Sequence, residues 1–140
     1  MRFLLDTCVL SETWKARPDP GVLAWLQAHD DYCAISQMSL GEIRKGIAKK
    51  EALTGQRQTT LNDWLDNLAS EKQADTLPLD ADVISLWGEI AGQSEARGIP
   101  LPVIDSLIAA TAITHNLAVV TRNTGDFERC GVKTINPWAA

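Results

Sequence analysis

The chain reads as an α/β protein, a central parallel five-stranded sheet flanked by helices on both faces. Two observations predict this. Short apolar runs recur at Phe3–Leu5, Tyr32–Ile35, Thr76–Leu79, Leu117–Val120 and Val132–Ile135, and most are separated by longer stretches of helical periodicity. Strands that alternate with helices form βαβ units, and the right-handed crossover rule then makes the sheet parallel and clothes both faces. A length of 140 residues is the usual size of one domain, so residues 1–140 are expected to form a single unit with one core.

The elements follow in order. Phe3–Leu5 is a short buried strand, and Val9 and Leu10 begin the packing of the next helix. Pro20, at a first-turn position with Asp19 as cap, opens a helix bearing Val22, Leu23, Trp25 and Leu26. After the second strand a helix starts near Ser36 and sets Leu40, Ile43 and Ile47 on one stripe, while Leu61, Trp64, Leu65 and Leu68 mark the helix after it. Asp80 to Arg97 form a long helix closed by Gly98 and Pro100. Val103 to Thr114 is apolar nearly all round and is therefore a buried helix. The turn VVTRNTGDF leads out of the strand at Leu117–Val120, and no repeat or low-complexity segment occurs.

Composition narrows the function classes. No run approaches the roughly 18 to 20 apolar residues that span a bilayer, and Asp6 breaks the only apolar stretch near the N-terminus, so neither a membrane span nor an export signal is expected. Cys8, Cys33 and Cys130 are odd in number and contain no CxxC, which suits reduced thiols in a cytoplasm, read as small buried hydrophobes. The net charge of -5 argues at first against nucleic acid. Its distribution is uneven, however. Arg44, Lys45, Lys49, Lys50 and Arg57 face only Glu51 in their stretch, whereas the segment from Asp63 to Glu95 is acidic apart from Lys72.

The acidic residues that are hardest to explain as surface carry the functional reading. In parallel α/β sheets ligands bind beyond the carboxyl ends of the strands. Asp6 ends the first strand, Glu42 follows the second inside SLGEIRKGI, Asp105 sits in the very apolar LPVIDSLIAATAI, and Asp126 follows the strand at Leu117–Val120. Singly, each has an ordinary role: Asp6 as a cap, Asp105 as a first-turn acid, Glu42 as a solvated helix residue, Asp126 as a turn residue. Jointly, their matching topological positions point to one shared site. Two carboxylates about 4 Å apart repel by roughly 4 kcal/mol at an effective dielectric near 20, and a divalent cation removes that conflict. Oxygen donors without a histidine pair suit Mg²⁺ or Mn²⁺ rather than zinc, since His29 and His115 stand alone. Such an ion activates water and stabilises the leaving oxygen of a phosphodiester.

LLDTCVLSE, SLGEIRKGI, IDSLIAATA and VVTRNTGDFE, in this order from Met1 to about Pro137, resemble the PIN domain, in its VapC or FitB-like toxin branch, as does the terminal INPW. The resemblance implies a single PIN-like domain and a Mg²⁺- or Mn²⁺-dependent ribonuclease of a type II toxin–antitoxin pair. It carries the family's acidic positions onto Asp6, Glu42, Asp105 and Asp126, as catalytic residues and metal ligands. Asn123 is a possible sharer of the fourth position, and Thr7 and Thr121 are expected to orient the carboxylates. RNA as substrate, a cognate antitoxin and a homodimer are further implications.

Other readings fit less well. A dehalogenase-type phosphatase needs a second Asp where Cys8 stands, and a cysteine phosphatase needs Arg where Trp14, Ser39 and Asn136 stand. GEIRKGI has Ile47 where a phosphate loop needs lysine. A flap-type DNA nuclease needs more acidic ligands and extra loops. The alternative from another class is a catalytically silent PIN-like module that binds RNA or protein. Arg44, Lys45, Lys49 and Arg122 are the candidates for holding RNA phosphates, and Trp14 and Trp25 for stacking, with core or dimer packing favoured for Trp25.

Overall fold

The fold is described for residues 1–139 of a computed structural model. Five strands, β1 (Phe3–Leu5), β2 (Cys33–Ser36), β3 (Thr76–Leu77), β4 (Ala118–Val120) and β5 (Thr134–Ile135), form one sheet in the order β3-β2-β1-β4-β5. Every pairing is parallel. Seven α-helices connect them among the described residues: α1 (Thr7–Glu12), α2 (Pro20–His29), α3 (Gln37–Thr54), α4 (Thr59–Glu71), α5 (Ala81–Ala96), α6 (Val103–Thr114) and α7 (Thr124–Arg129).

The pleat of the strands divides the core into two. Leu4, Ala34 and Val119 point to one face and meet Ile108, Ala109 and Ala112 of α6 and Phe127 of α7. Leu5, Cys33, Ile35 and Val120 point to the other, against Val9, Val22, Ile43, Ile47 and Leu65 from α1 to α4. Strands buried on both sides need unbroken apolar sequence, which is why these short runs lack alternation.

Local chemistry sets the element ends. Asp19 accepts from the backbone N–H groups of Gly21 and Val22, with Pro20 in the first turn of α2; Ser36 caps α3 through Met38 N; Asp80 caps α5 through Val83 N. Gly55, at φ 67°, supplies the left-handed residue that ends α3. Gly21 is needed for a different reason: a Cβ there would stand 2.8 Å from the Pro137 carbonyl oxygen, where the C-terminal turn Pro137–Ala139 packs on α2.

Several boundaries differ from the sequence reading. Tyr32 belongs to a 3-10 turn, Asp30–Tyr32, and β2 begins at Cys33. The third strand stops at Leu77 rather than Leu79, because Pro78 has no N–H to give the ladder. β4 excludes Leu117, and β5 excludes Val132, which follows Gly131 at φ 83° and turns into the core. The segment read as a turn around Asp126 is the helix α7. Gly125 disguises it, and the burial of Phe127 drives it.

Phe127 is fully buried and fastens α7 to the sheet, so Phe127→Ala is expected to cost about 3–5 kcal/mol. Leu53→Ala, at a side chain 77% exposed, is expected to change stability by less than about 0.5 kcal/mol. Urea unfolding followed by circular dichroism checks both; equal midpoints for the two variants would contradict the docking of α7.

Candidate active site

The strand order places the site. Leu5 pairs with Ile35 on one side and Val120 on the other, so the residues just beyond, Asp6, Ser36 and Thr121, leave the sheet side by side. Chain connections diverge between β1 and β4, the switch point at which parallel α/β sheets open a crevice. A cavity of about 500 Å³ lies there, lined by Asp6, Glu42 and Asp105. Thr7, Cys8, Ser11, Arg122 and Asn123 complete its wall. A slightly larger cavity of about 550 Å³ sits beside Met1, Arg2 and Lys133, at the opposite end of the strands, and no acidic residue lines it.

Each carboxylate is held by a different element. Asp6 is 5% exposed. Its Oδ1 accepts from the N–H of Thr7 at 2.8 Å, and its Oδ2 accepts from the Thr121 hydroxyl at 2.8 Å and from the Cys8 thiol at 3.3 Å. Asp105 stands in the first turn of α6, where the helix dipole favours an acid. The adjacent Ser106 fixes that end of the helix: Trp87 Nε1 donates to its hydroxyl at 2.9 Å. Glu42 projects from α3 next to the buried Ile43 and makes no hydrogen bond or ion pair among the described residues. Asp126, in the first turn of α7, pairs with Arg129 at 3.1 Å and does not line the cavity itself.

Neutral donors tie these groups together. The Thr121 hydroxyl accepts from Asn123 N at 2.9 Å while donating to Asp6. The Asn123 amide donates to Asp105 at 3.2 Å and to Asp126 at 2.6 Å. Asn123 therefore sits between carboxylates as a donor, and the Thr121 hydroxyl donates to Asp6. Thr7 contributes its backbone N–H, and its hydroxyl is buried without a partner.

The electrostatic consequence falls on Asp105, whose carboxyl is raised to about 6. Desolvation is the largest cause, followed by the charges of Asp6, Asp126 and Glu42, against a lowering by the Asn123 hydrogen bond. The Cys8 thiol is also pushed up, to about 11, by burial and by Asp6, so near neutrality it is a protonated donor and no thiolate ligand. The donor set that remains is carboxylate oxygen, which fits a hard divalent cation. Among the described residues no three acidic, histidine or cysteine side chains stand together as a ready-made cage. Magnesium usually keeps several waters and uses one or two carboxylates together with substrate phosphate, so Asp6 and Asp105 are the residues that would hold it.

The other sequence candidates divide. Arg122 reaches the cavity wall, but Arg44 does not: it turns to α4, donating to Asn62 and pairing with Asp66 at 2.8 Å. Lys45 and Lys49 are exposed on α3 and do not line the cavity. Trp25 is taken up by core packing, edge-on to Phe3 and stacked on His29. Trp14 leans on Trp64 in a second, apolar cavity next door. Cys8 and Ser11 were not among the site candidates. Cys8 lies two residues after Asp6 in the same first turn, and it is half-buried beside that carboxylate; Cys33 and Cys130 are the buried cysteines expected, and all three are free.

A parallel α/β fold that gathers carboxylates at the switch point of its sheet is the class of domain that the fold and the site define. The PIN domain model matches residues 3–133, and the chain belongs to the PIN domain family. It is 37% identical to VapC ribonuclease Y4jK of Sinorhizobium fredii, over 96% of both chains. It is 34% identical to toxin FitB of Neisseria gonorrhoeae, over 96% of this chain and 97% of the other. The crystal structure of FitAcB from Neisseria gonorrhoeae superposes with a TM-score of 0.84 at 31% identity, covering 99% of each chain.

A carboxyl group raised in the folded state holds its proton more tightly there than when unfolded. Its stabilising contribution is complete at pH values below the ordinary Asp pKa and is lost as pH rises through about 6. Asp105→Asn is therefore expected to leave stability near wild type at pH 4 and to exceed it at pH 7 in chelator, by on the order of 1 kcal/mol after solvent screening. Thermal melts across that range test this; a constant difference between the two proteins would refute the raised Asp105 carboxyl.

Proposed function

We propose that this chain is a metal-dependent endoribonuclease, the toxin of a toxin–antitoxin pair, hydrolysing RNA phosphodiester bonds with carboxylate-bound Mg²⁺ or Mn²⁺. The observation that carries the reading is the convergence of Asp6, Glu42 and Asp105, from three elements, on one cavity at the switch point of the sheet. The ribonuclease and toxin names of the relatives support it.

Asp6 and Asp105 are the main ligands in this reading, with Glu42 completing the first metal site or positioning water, and Asp126 entering through Asn123. When bound, the ion supplies Lewis acidity that activates water and neutralises charge on the phosphodiester. The chain's own residues do the rest. Thr121 and the N–H of Thr7 fix both oxygens of Asp6, so one carboxylate geometry is presented before substrate arrives. Asn123 holds Asp105 towards Asp126 and lowers the cost of keeping both charged. Glu42, free of partners, is the group able to take a proton from a water at the cavity mouth.

A cognate antitoxin and a homodimer belong to the same proposal. No helix among the described residues is long and apolar enough to cross a membrane. We place the protein in the cytoplasm with its RNA substrate, a setting that suits three free cysteines.

Purified protein free of antitoxin is expected to cut RNA with Mn²⁺ or Mg²⁺ and to stop in excess chelator. Asp6→Asn and Asp105→Asn are each expected to lower the rate at least about 100-fold, on the order of 3 kcal/mol of barrier. Equal cleavage by wild type and both variants would mark a contaminant and sink the assignment. Salt-sensitive RNA binding with no cleavage under any metal would favour the silent-module reading.

A further inference from the structure

We propose that Trp138 is a positioning residue for the substrate phosphate: its indole holds the Arg122 guanidinium at the rim of the acidic cavity, away from the carboxylates. The inference rests on the nuclease reading and adds to it the device that keeps the cavity's one lining cation available.

Arg122 is the only Lys or Arg side chain lining the cavity that holds Asp6, Glu42 and Asp105. A long cation on the wall of such a cavity has every electrostatic reason to fold onto the carboxylates and neutralise them. It does not. Among the described residues Arg122 makes no ion pair, and its guanidinium carbon lies 4.3 Å from the centroid of the Trp138 ring. The ring attracts the cation through its π face without using the N–H groups at the guanidinium edge, so those donors stay free for a planar, bidentate phosphate contact.

The platform itself is anchored. Trp138 packs against the core beneath α2, its backbone N–H donates to the Asn136 side chain at 2.9 Å, and the preceding Pro137 is buried with its carbonyl oxygen against Gly21. The indole is therefore fixed by the C-terminal turn, and Arg122 leaves the sheet one residue after Thr121, which is bonded to Asp6. Both ends of the stacked pair are set by rigid structure, so the guanidinium is held in register with the carboxylate edge.

The test measures binding of a fluorescein-labelled single-stranded RNA oligonucleotide in chelator, by anisotropy, below the melting temperature of every variant. Arg122→Ala is expected to weaken binding about five- to tenfold at low salt and to flatten the slope of log Kd against log salt by about 0.7, one phosphate contact on a single strand. Trp138→Leu, which keeps apolar volume but no π face, is expected to reproduce both changes, and Trp138→Phe to stay within about twofold of wild type. The double variant Arg122→Ala/Trp138→Leu is expected to bind like Arg122→Ala alone. An additive loss in the double variant, wild-type binding by Trp138→Leu, or no RNA binding by wild type would each overturn the inference. Cleavage assays with Mn²⁺ on the same proteins separate it from the nuclease proposal: RNA bound with the expected variant pattern but never cut removes the nuclease reading and leaves the role of Trp138 standing.

Discussion

Mutual repulsion among carboxylates at one edge of a sheet is the constraint around which this molecule is arranged. Asp6 is nearly buried, Asp105 is raised by desolvation and then by the charges of its neighbours, and Glu42 faces the same cavity. A protein gains nothing in stability from such a cluster, and surrounding features offset its cost. Thr121, Cys8 and the N–H of Thr7 donate to Asp6, Asn123 divides its amide between Asp105 and Asp126, and the first turns of α6 and α7 point their dipoles at the two outer acids. All of these donors are neutral. They make the cluster tolerable without discharging Asp6 or Asp105.

The sheet makes that balance possible. Because β1 lies in the middle with β2 and β4 as its neighbours, three chain segments distant in sequence leave the same edge, two of them each one strand spacing from β1. The two cores on either face fix those strands, and helices packed on the cores bring in Glu42 and Asp105 from opposite directions. Loops contribute little to the acidic positions; they stand at strand ends or in helices, where placement is firm.

Much of this was legible in the amino-acid sequence, for reasons that differ by element. The buried strands announce themselves as unbroken apolar runs, and the caps at Asp19, Ser36 and Asp80 are short polar residues set before helical stripes. The α7 helix was not legible, because Gly125 lowers its intrinsic propensity and only tertiary burial of Phe127 makes it form. Asp6, Glu42 and Asp105 could be set on one edge from topology alone. The partners of the basic residues could not: whether Arg44 faces RNA or Asp66 depends on how α3 crosses α4, and no local pattern encodes that. The same holds for Arg122 and Trp138, which meet only because the C-terminal turn folds back over α2.

The central place of β1 has a consequence in time. The strand that carries Asp6 is the first to be synthesised, yet one of its two neighbours is β4, at Ala118–Val120, and Thr121, which orients Asp6, follows that. The chain through Thr121 must leave the ribosome before the acidic edge can be completed, since β1 pairs with β4 and Asp6 is bonded to Thr121. A copy that lacks β4 can hold β1 against β2 alone, without the Thr121 hydroxyl that donates to Asp6. The topology thus delays completion of the acidic edge until β4 has been made.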